Sequence, residues 1–263
     1  MNTRKGDSCR LACVMHTGPR EEQEDCLLVA SDVMQVAEMR VPLMVQVAAE
    51  ADLLVVVSDG MGGHARGQWA SRFVCEQLAE QPLTPTPEVI EARLREIQLR
   101  MEEQAGWNGR RRAVEGATVV GLLRHAEGVT IFNAGDSRIY HRPEGGALTQ
   151  LTHDHTLVQS LLDHGKLTPE EVADYPYRNV LEFGLGSAFA SLWKGGRYSC
   201  RVRTLPDAGG VWLVCSDGVH GALAHAELEA LLASPSPESA AHLAQRVWEE
   251  STDNFSFVLL WEA

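Results

Sequence analysis

Four aspartates occupy positions where an unpaired charge would be costly. Asp59 and Asp217 end apolar, β-branched runs in two near-identical cassettes, Val-Val-Ser-Asp-Gly and Val-Cys-Ser-Asp-Gly. Asp25 follows a glutamate-rich run, and Asp253 lies just before another apolar run. Carboxylates gathered at the ends of buried strands are tolerated when cations neutralise them. Oxygen ligands of this kind predict Mg²⁺ or Mn²⁺, because zinc sites are usually built from His and Cys.

The alternative for any single Asp-Gly pair is a turn or a helix cap. Asp-Gly is frequent in turns, and Asp is a good N-cap. One cassette alone therefore favours this structural interpretation. Two cassettes in one chain, together with Asp136 after a third apolar run, favour convergence of the carboxylates at one site.

The order of the predicted elements indicates how these aspartates are positioned. The three apolar runs predict buried strands over 53–60, 129–136 and 211–218, each delivering an aspartate at its C-terminal end. Further strands are predicted over 10–15, 117–124, 137–142, 200–204 and 255–261, and helices over 67–80, 87–104, 156–164, 224–233 and 237–249. Because the helices come in pairs between groups of strands, the pattern favours an α+β layered sandwich with antiparallel sheets.

A single domain over residues 1–263 is expected, since no repeat or low-complexity linker divides the chain. Two segments stand out within it. Residues 30–51 are interpreted as a hairpin or surface insertion, and residues 152–186 as a small cap, or flap, over one end of the sheets.

Composition and charge argue against several classes of protein. The chain carries 36 acidic and 23 basic residues, a formal charge of −13, which disfavours binding to nucleic acid phosphates. The most apolar stretch, residues 41–57, is interrupted by Gln46, Glu50 and Asp52 and falls short of the roughly 18 residues of a membrane span. The apolar run 11–15 is too short for a signal-peptide core, so a cytoplasmic protein is expected.

The six cysteines lack the paired spacing of metal ligands, and in a reducing compartment they are expected to be buried free thiols. No cysteine is followed six positions later by Arg, which excludes a thiol-based phosphatase. No P-loop and no His-Glu-x-x-His zinc motif occurs.

Seven short motifs follow one another along the chain. They are Arg20-x-x-Gln-Glu24-Asp25, Asp59-Gly-Met-Gly-Gly-His64, Gly116-Ala-Thr118, Gly135-Asp-Ser-Arg138, Leu151-Thr-His-Asp-His155, Ser216-Asp-Gly-Val219 and Asp253-Asn254. In this order they resemble the metal-dependent protein phosphatases (PPM, type 2C) in their bacterial form. The resemblance implies a four-layer αββα sandwich, in which two antiparallel sheets are flanked by helix pairs and a two-metal centre lies at one end.

The resemblance also implies which residues form the metal centre. Two Mn²⁺ or Mg²⁺ ions would be held by Asp25, Asp59, the carbonyl of Gly60, Asp217 and Asp253. Asp59 would bridge the two ions, and Glu24 would support a metal-bound water. Asn254 would orient Asp253 and its turn, and Asp136 matches the position of a third, weaker ion.

Arg20 is expected to bind the substrate phosphate, because its planar guanidinium can hold two phosphate oxygens at once. The alternative is a surface ion pair with Glu21, Glu22 or Glu24. The position of Arg20 in the family motif favours the phosphate ligand.

The function that the resemblance implies is a serine/threonine protein phosphatase, in which a metal-bridging water attacks phosphoserine or phosphothreonine. Two cations lower the pKa of such a water and neutralise charge on the phosphoryl group. Phosphorylated proteins would be the substrates of a monomeric enzyme that opposes a bacterial kinase. A metal-bound water is the expected proton donor for the leaving group, since Met61 replaces a His of many eukaryotic relatives and His64 is interpreted as structural.

Two departures from the family pattern concern the cap. Glu182-Phe183 replaces a common Thr-Arg pair, and Tyr175-Pro176 replaces a His-Pro pair. They predict altered substrate preference or cap packing, with catalysis retained. The alternative functions are a catalytically silent phosphoprotein-binding module of the same fold and a regulator that acts on one dedicated partner. Degenerate modules of the first kind typically lose a metal aspartate, and none is lost here.

Overall fold

The computed structural model describes residues 8–62, 65–104, 115–172, 175–196, 199–206 and 209–262. Within these ranges two antiparallel sheets pack face to face, and helices cover both outer surfaces. The predicted α+β sandwich with its four αββα layers is confirmed.

One sheet, sheet I, contains β1 (Ser8–His16), β4 (Leu43–Ala48), β9 (Arg138–Arg142), β10 (Thr149–Gln150), β12 (Val211–Cys215) and β13 (Phe255–Glu262). Their order across the sheet is β10-β9-β12-β13-β1-β4. The two strands nearest the chain termini, β1 and β13, are therefore neighbours in the middle of the sheet, where their pairing closes the fold.

The other sheet, sheet II, contains β2 (Asp25–Val29), β3 (Asp32–Met34), β5 (Leu53–Met61), β7 (Val119–His125), β8 (Gly128–Ala134) and β11 (Arg201–Leu205). Their order is β11-β8-β7-β5-β2-β3, and the two-residue strand β6 (Gly116–Ala117) pairs with the end of β5. Residues 30–51 supply an edge strand to each sheet, β3 beside β2 and β4 beside β1. This segment is thus built into the sandwich.

The strands β2 and β5 are buried on both faces, which explains their continuous apolar runs in place of an alternating pattern. In β2, Leu27 and Val29 pack in the core between the sheets, whereas Cys26 and Leu28 pack toward the helices. Burial of each Leu or Val contributes roughly 1.5–3 kcal/mol. Strands held this firmly give a rigid base for the residues at their ends.

Two helix pairs cover the sheets. The pair α1 (Ala65–Ala79) and α2 (Pro87–Gln104) covers sheet II, and the pair α6 (His225–Leu231) and α7 (Pro237–Glu250) covers sheet I. Shorter helices are α3 (Leu157–Asp163), α4 (Ala190–Gly195) and α5 (Asp217–His220). The start of α7 follows from its sequence, since Ser236 accepts a hydrogen bond from the Ser239 N–H and Pro occupies the first helical position.

All six cysteines are buried free thiols, as predicted. None of the helices in the described ranges is long and apolar enough to cross a bilayer. One rim of the sandwich collects the aspartate-bearing strand ends: β2 begins at Asp25, β5 runs through Asp59, α5 begins at Asp217 directly after β12, and Asp253 precedes β13.

Candidate active site

Asp25 and Asp59 face each other across two neighbouring strands of sheet II. They are directly opposite in the antiparallel register of β2 and β5. Side chains in such a pair have Cβ atoms about 5 Å apart on the same face of the sheet, and like charges in this position are destabilising. A bound proton or a bound cation relieves this repulsion.

Asp25 is fully buried, and only one of its oxygens has a hydrogen-bond donor among the described residues. Ser216 Oγ, from sheet I, donates to Asp25 Oδ2 at 2.8 Å. Asp25 Oδ1 is buried without a hydrogen-bond partner. Buried polar atoms are normally satisfied. An orphaned carboxylate oxygen opposite a second carboxylate fits a bound cation.

The two Ser-Asp-Gly cassettes adopt different conformations. The turn that a single Asp-Gly pair favours does not form at the first cassette, where the strand predicted over 53–60 is observed. Strand β5 continues past Asp59 to Met61, because β6 pairs with it at Gly60 and Met61. The second cassette leaves the sheet after Cys215, three residues before the predicted strand end at 218, and Asp217 becomes the first residue of α5. The shared Ser-Asp-Gly sequence diverges here because β6 extends the strand pairing to Gly60 and Met61, whereas the pairing of β12 ends at Cys215.

The glycines of both cassettes lie against backbone that comes too close for a side chain. A Cβ at Gly60 would lie 2.0 Å from the carbonyl oxygen of Gly67 in α1. A Cβ at Gly218 would lie 1.9 Å from the carbonyl oxygen of Asn254. The absence of a side chain thus allows the aspartate-bearing segments to approach each other.

We expect Gly218→Ala to destabilise the protein by about 3 kcal/mol, because the clash is with backbone and Asn254 must shift. Urea unfolding monitored by circular dichroism measures this change. The matched control is Gly195→Ala, since no atom lies within 4 Å of a Cβ at that position in α4. The control should be neutral or stabilising by up to about 1 kcal/mol. Equal effects of both substitutions would contradict the close approach.

Arg20 forms an ion pair with Asp253. Its Nη2 donates to Asp253 Oδ2 at 2.6 Å, and its Nε donates to the carbonyl of Thr252 at 3.3 Å. Arg20 therefore pairs with Asp253, which is a candidate metal ligand, and not with Glu21, Glu22 or Glu24 as in the alternative prediction. Both side chains are well exposed, at 57% and 39%. An exposed pair of this kind is weak, so Arg20 can be drawn away by a phosphate group.

Asn254 connects three segments of the rim. Its Nδ2 donates to the carbonyls of Thr17 and Glu22, at 2.7 and 3.0 Å. Its Oδ1 accepts from the Glu24 N–H at 2.7 Å, and its own N–H donates to Asp253 Oδ1 at 2.8 Å. The side chain thereby fixes the loop before Asp25 to the loop before β13.

Glu24 lies against the first turn of α1. Its carboxylate occupies the space beside Gly67, where a Cβ would be 2.6 Å from Glu24 Oε2. Glu24 is half-buried and also lines the central cavity described below. The first helical turn carries a positive partial charge, which suits a carboxylate in this position.

Asp136 lies in the turn between β8 and β9, and its side chain is 7% exposed. Gly135 adopts a φ of +115°, a conformation that glycine reaches without strain. The Gly135 N–H donates to His155 Nδ1 at 3.1 Å, and His220 Nε2 lies 3.0 Å from the carbonyl oxygen of Asp136. Both histidines are thus held by the backbone of this turn.

The Thr118 hydroxyl links this turn to Asp59. Thr118 Oγ1 accepts from the Asp59 N–H at 3.0 Å and lies 2.7 Å from Ser137 Oγ. The carbonyl of Thr118 accepts from Ser58 Oγ at 2.7 Å. The strand that carries Asp59 is therefore held in place by the hydroxyl and the carbonyl of Thr118.

These residues surround a cavity of about 500 Å³. Its acidic lining residues are Glu21, Glu22, Glu24, Asp59, Asp136, Asp217 and Asp253, and Gly60, Thr118 and Asn254 also line it. Arg20 is the one cation among the lining residues in the described part of the chain. Asn179 and Leu181 of the segment 152–186 form part of the wall, so the predicted cap borders the cavity.

Desolvation dominates the electrostatics of this rim. Burial raises the pKa of Asp25 to about 7, the charges of Asp217 and Asp253 act in the same direction, and the Ser216 hydrogen bond opposes them. Burial also raises the pKa of Asp217 to about 6, with Asp253 adding to the effect. The pKa values of Asp59 and Asp136 are raised for the same reasons. The site therefore favours binding of positive charge.

Across the described ranges, no three His, Cys, Asp or Glu side chains are already grouped as a metal cage. The carboxylates line an open crevice. His153 and His155 do not converge on it: His153 bonds to Asp163 at 2.7 Å, and His155 contacts the Gly135 turn. Their neighbour Asp154 accepts a bidentate pair from Arg138, whose Nε donates to Oδ1 and whose Nη2 donates to Oδ2.

Eight of the predicted site residues line this cavity, namely Arg20, Glu24, Asp59, Gly60, Asp136, Asp217, Asp253 and Asn254. The ninth, Asp25, is fully buried and lies directly opposite Asp59 in the strand pairing. Sequence reasoning assigned no role to Ser216, Thr118 or His220. For Ser216, a signal was present in the serine that precedes both cassette aspartates. His64 lies outside the described residues.

Comparison with known proteins identifies the family. The profile of the protein phosphatase 2C family matches residues 42–254. The chain belongs to this family. It is 33% identical over 194 residues to the serine/threonine phosphatase stp of Listeria monocytogenes, covering 69% of this chain and 72% of that protein. It is 30% identical over 199 residues to PstP of Mycobacterium tuberculosis, covering 72% of this chain and 36% of that longer protein.

Solved structures of phosphatase 2C relatives have the same fold. Stp1 from Staphylococcus aureus superposes with a TM-score of 0.77 at 25% identity, over 100% of this chain and 98% of that one. The catalytic domain of PstP in complex with two manganese ions gives a TM-score of 0.72 at 25% identity, over 96% and 97% of the two chains. The predicted class, a metal-dependent serine/threonine protein phosphatase, is confirmed by these relatives.

Proposed function

We propose that this phosphatase 2C member uses two Mn²⁺ or Mg²⁺ ions, held by Asp25, Asp59, the carbonyl of Gly60, Asp217 and Asp253. The supporting observation is the buried, orphaned Oδ1 of Asp25 opposite Asp59. When bound, the ions supply Lewis acidity, which lowers the pKa of a water and neutralises charge on the phosphoryl group. Asp136 is proposed to help hold a third, weaker ion.

The chain's own residues position the substrate. The ion pair between Arg20 and Asp253 is exposed and weak, so little is lost when Arg20 turns to the substrate. Arg20 would then bind two oxygens of the phosphate. Asn254 keeps Asp253 in place by donating its N–H to Oδ1. Glu24, half-buried at the cavity wall, would accept a hydrogen bond from the attacking water. Water in the open cavity is proposed as the proton donor for the leaving alkoxide.

Substrates are proposed to be proteins phosphorylated on serine or threonine, and a bacterial Ser/Thr kinase is proposed as the opposing enzyme. An open cavity at the rim accepts a side chain that projects from a protein surface. The enzyme is proposed to act as a cytoplasmic monomer.

The test is hydrolysis of a phosphothreonine peptide and of p-nitrophenyl phosphate by metal-stripped protein. We expect activity to appear with Mn²⁺ or Mg²⁺ and to disappear with EDTA. Full activity in EDTA would overturn the metal assignment. Tight binding of the peptide in Mn²⁺ without turnover would favour the silent binding module instead.

A further inference from the structure

His220 joins two of the acidic segments of the rim. Its Nε2 lies 3.0 Å from the carbonyl oxygen of Asp136, across 84 residues of sequence. A carbonyl only accepts hydrogen bonds, so the ring donates from Nε2–H. His220 ends α5, the helix that Asp217 begins. Three residues of helix rise about 4.5 Å, so this one contact ties the Asp136 backbone to within a turn of Asp217.

The opposite side of the same turn is held by a second histidine. His155 Nδ1 accepts from the Gly135 N–H at 3.1 Å, and the His155 N–H donates to the Gly135 carbonyl at 3.0 Å. The turn therefore has one imidazole on the amide before Asp136 and another on the carbonyl after it. The Asp136 Cα has little freedom between two fixed peptide groups.

This restraint opposes an electrostatic force. Asp136 and Asp217 line the same cavity and repel each other when both are ionised. The His155 and His220 contacts hold the turn against that repulsion. The hydrogen bond from His220 joins the turn directly to α5, the helix that Asp217 begins.

We propose that His220 is a positioning residue, which holds Asp136 beside Asp217 so that the two carboxylates can share one divalent ion. This inference rests on the proposed function, because it assumes that the rim binds divalent ions. It adds a residue that touches no ion and acts only through the Asp136 backbone. Residues that orient metal ligands in this way are typically worth 10–100-fold in metal affinity.

Calorimetric titration of metal-stripped protein with Mn²⁺ tests the proposal. Asp136→Asn identifies the ion that Asp136 holds, as the one whose affinity it lowers. We expect His220→Leu, which removes the donor, to weaken that same ion about tenfold and to leave the others within about twofold. His220→Gln, which keeps a side-chain N–H donor at similar reach, should restore affinity to within about threefold of the wild-type value.

The matched control is His125→Leu. His220 is half-buried, whereas His125 is buried, has its ring bonded to the Thr130 hydroxyl and lies at the far end of β7. Six strand residues place it roughly 20 Å from the site end. Its loss should leave every Mn²⁺ affinity unchanged. Equal weakening by the control would overturn the proposal, because burial alone would then account for the effect.

Other outcomes also decide the matter. Unchanged Mn²⁺ affinities in His220→Leu, equal losses in the Leu and Gln variants, or no ion weakened by Asp136→Asn would each overturn the role of His220. If His220→Leu does not fold, ¹⁵N NMR of the wild-type protein with Mg²⁺ can measure which nitrogen of the His220 ring carries the proton. An Nε2–H tautomer supports the proposal, and an Nδ1–H tautomer overturns it. If the proposed function itself is wrong, the wild-type protein will bind no Mn²⁺. That result differs from each outcome that overturns the role of His220 alone.

Discussion

Replacement of Asp59 by Asn is expected to lower kcat by at least about a thousandfold, since loss of several kcal/mol of charge stabilisation costs tenfold for each 1.4 kcal/mol. Asp59 is directly opposite Asp25 and is close enough to Asp217 for their charges to interact. Asn has nearly the same shape but lacks the charge that would hold the ions. The measurement is Mn²⁺-dependent hydrolysis of a phosphothreonine peptide.

The same variant should be more stable than the wild-type protein in EDTA, because one of several crowded carboxylates is gone. Thermal unfolding in EDTA therefore separates loss of chemistry from loss of folding. The matched control is Asp32→Asn, the same substitution at an exposed position of the β2–β3 hairpin. The control should leave kcat and stability unchanged. An Asp59→Asn enzyme within tenfold of wild-type kcat would remove Asp59 from the proposed centre.

Strands and helices with strong patterns could be predicted from the sequence. The helix predicted over 87–104 is observed at Pro87–Gln104, because apolar residues recur at helical spacing and Pro marks the first turn. The run that became β5 was recognised by its β-branched residues. Its extension to Met61 was missed, since the partner strand β6 lies some 55 residues later and leaves no local signal.

In the candidate site, too, features with a local sequence signal could be predicted and contacts between distant residues could not. Asp25, Asp59 and Asp217 could be proposed from residue type and strand-end position, because a buried carboxylate is costly unless a positive charge or hydrogen-bond donors compensate it. The contact of His220 with Asp136 could not, since a single histidine has no periodic pattern and its partner is 84 positions away. Nor could the pairing of Arg20 with Asp253, which depends on how the loops meet.

The stability of the metal-free protein is expected to fall as the pH rises from 6.5 to 8. Burial raises the pKa of Asp25 to about 7, far above its value of 3.8 in the unfolded chain. The folded state therefore binds more protons than the unfolded state up to about pH 7, and stability is lost as the pH passes through the folded pKa. Asp25 alone accounts for about 1 kcal/mol in this interval, or roughly 3 °C in Tm.

Histidines with lowered pKa values oppose this trend. Burial lowers the pKa of His155 to about 4 and that of His220 to about 3, so both rings are neutral in the folded state, whereas an unfolded ring is about half protonated at pH 6.5. Each ring therefore adds about 0.4 kcal/mol of stability between pH 6.5 and 8. The raised pKa values of Asp59 and Asp136 add to the fall from Asp25, so a net decline is still expected.

Differential scanning fluorimetry in EDTA and in saturating Mn²⁺, at pH 6.5 and pH 8, tests the prediction. The Mn²⁺-loaded protein should show no such fall, because the ion replaces the proton on the carboxylates, so the gain in Tm from Mn²⁺ should be larger at pH 8. Asp25→Asn should abolish most of the decline in EDTA, whereas Asp32→Asn should retain it. The same change of Tm with pH in Asp25→Asn and in the wild-type protein would show that Asp25 is ionised without cost, which would contradict its burial beside Asp59.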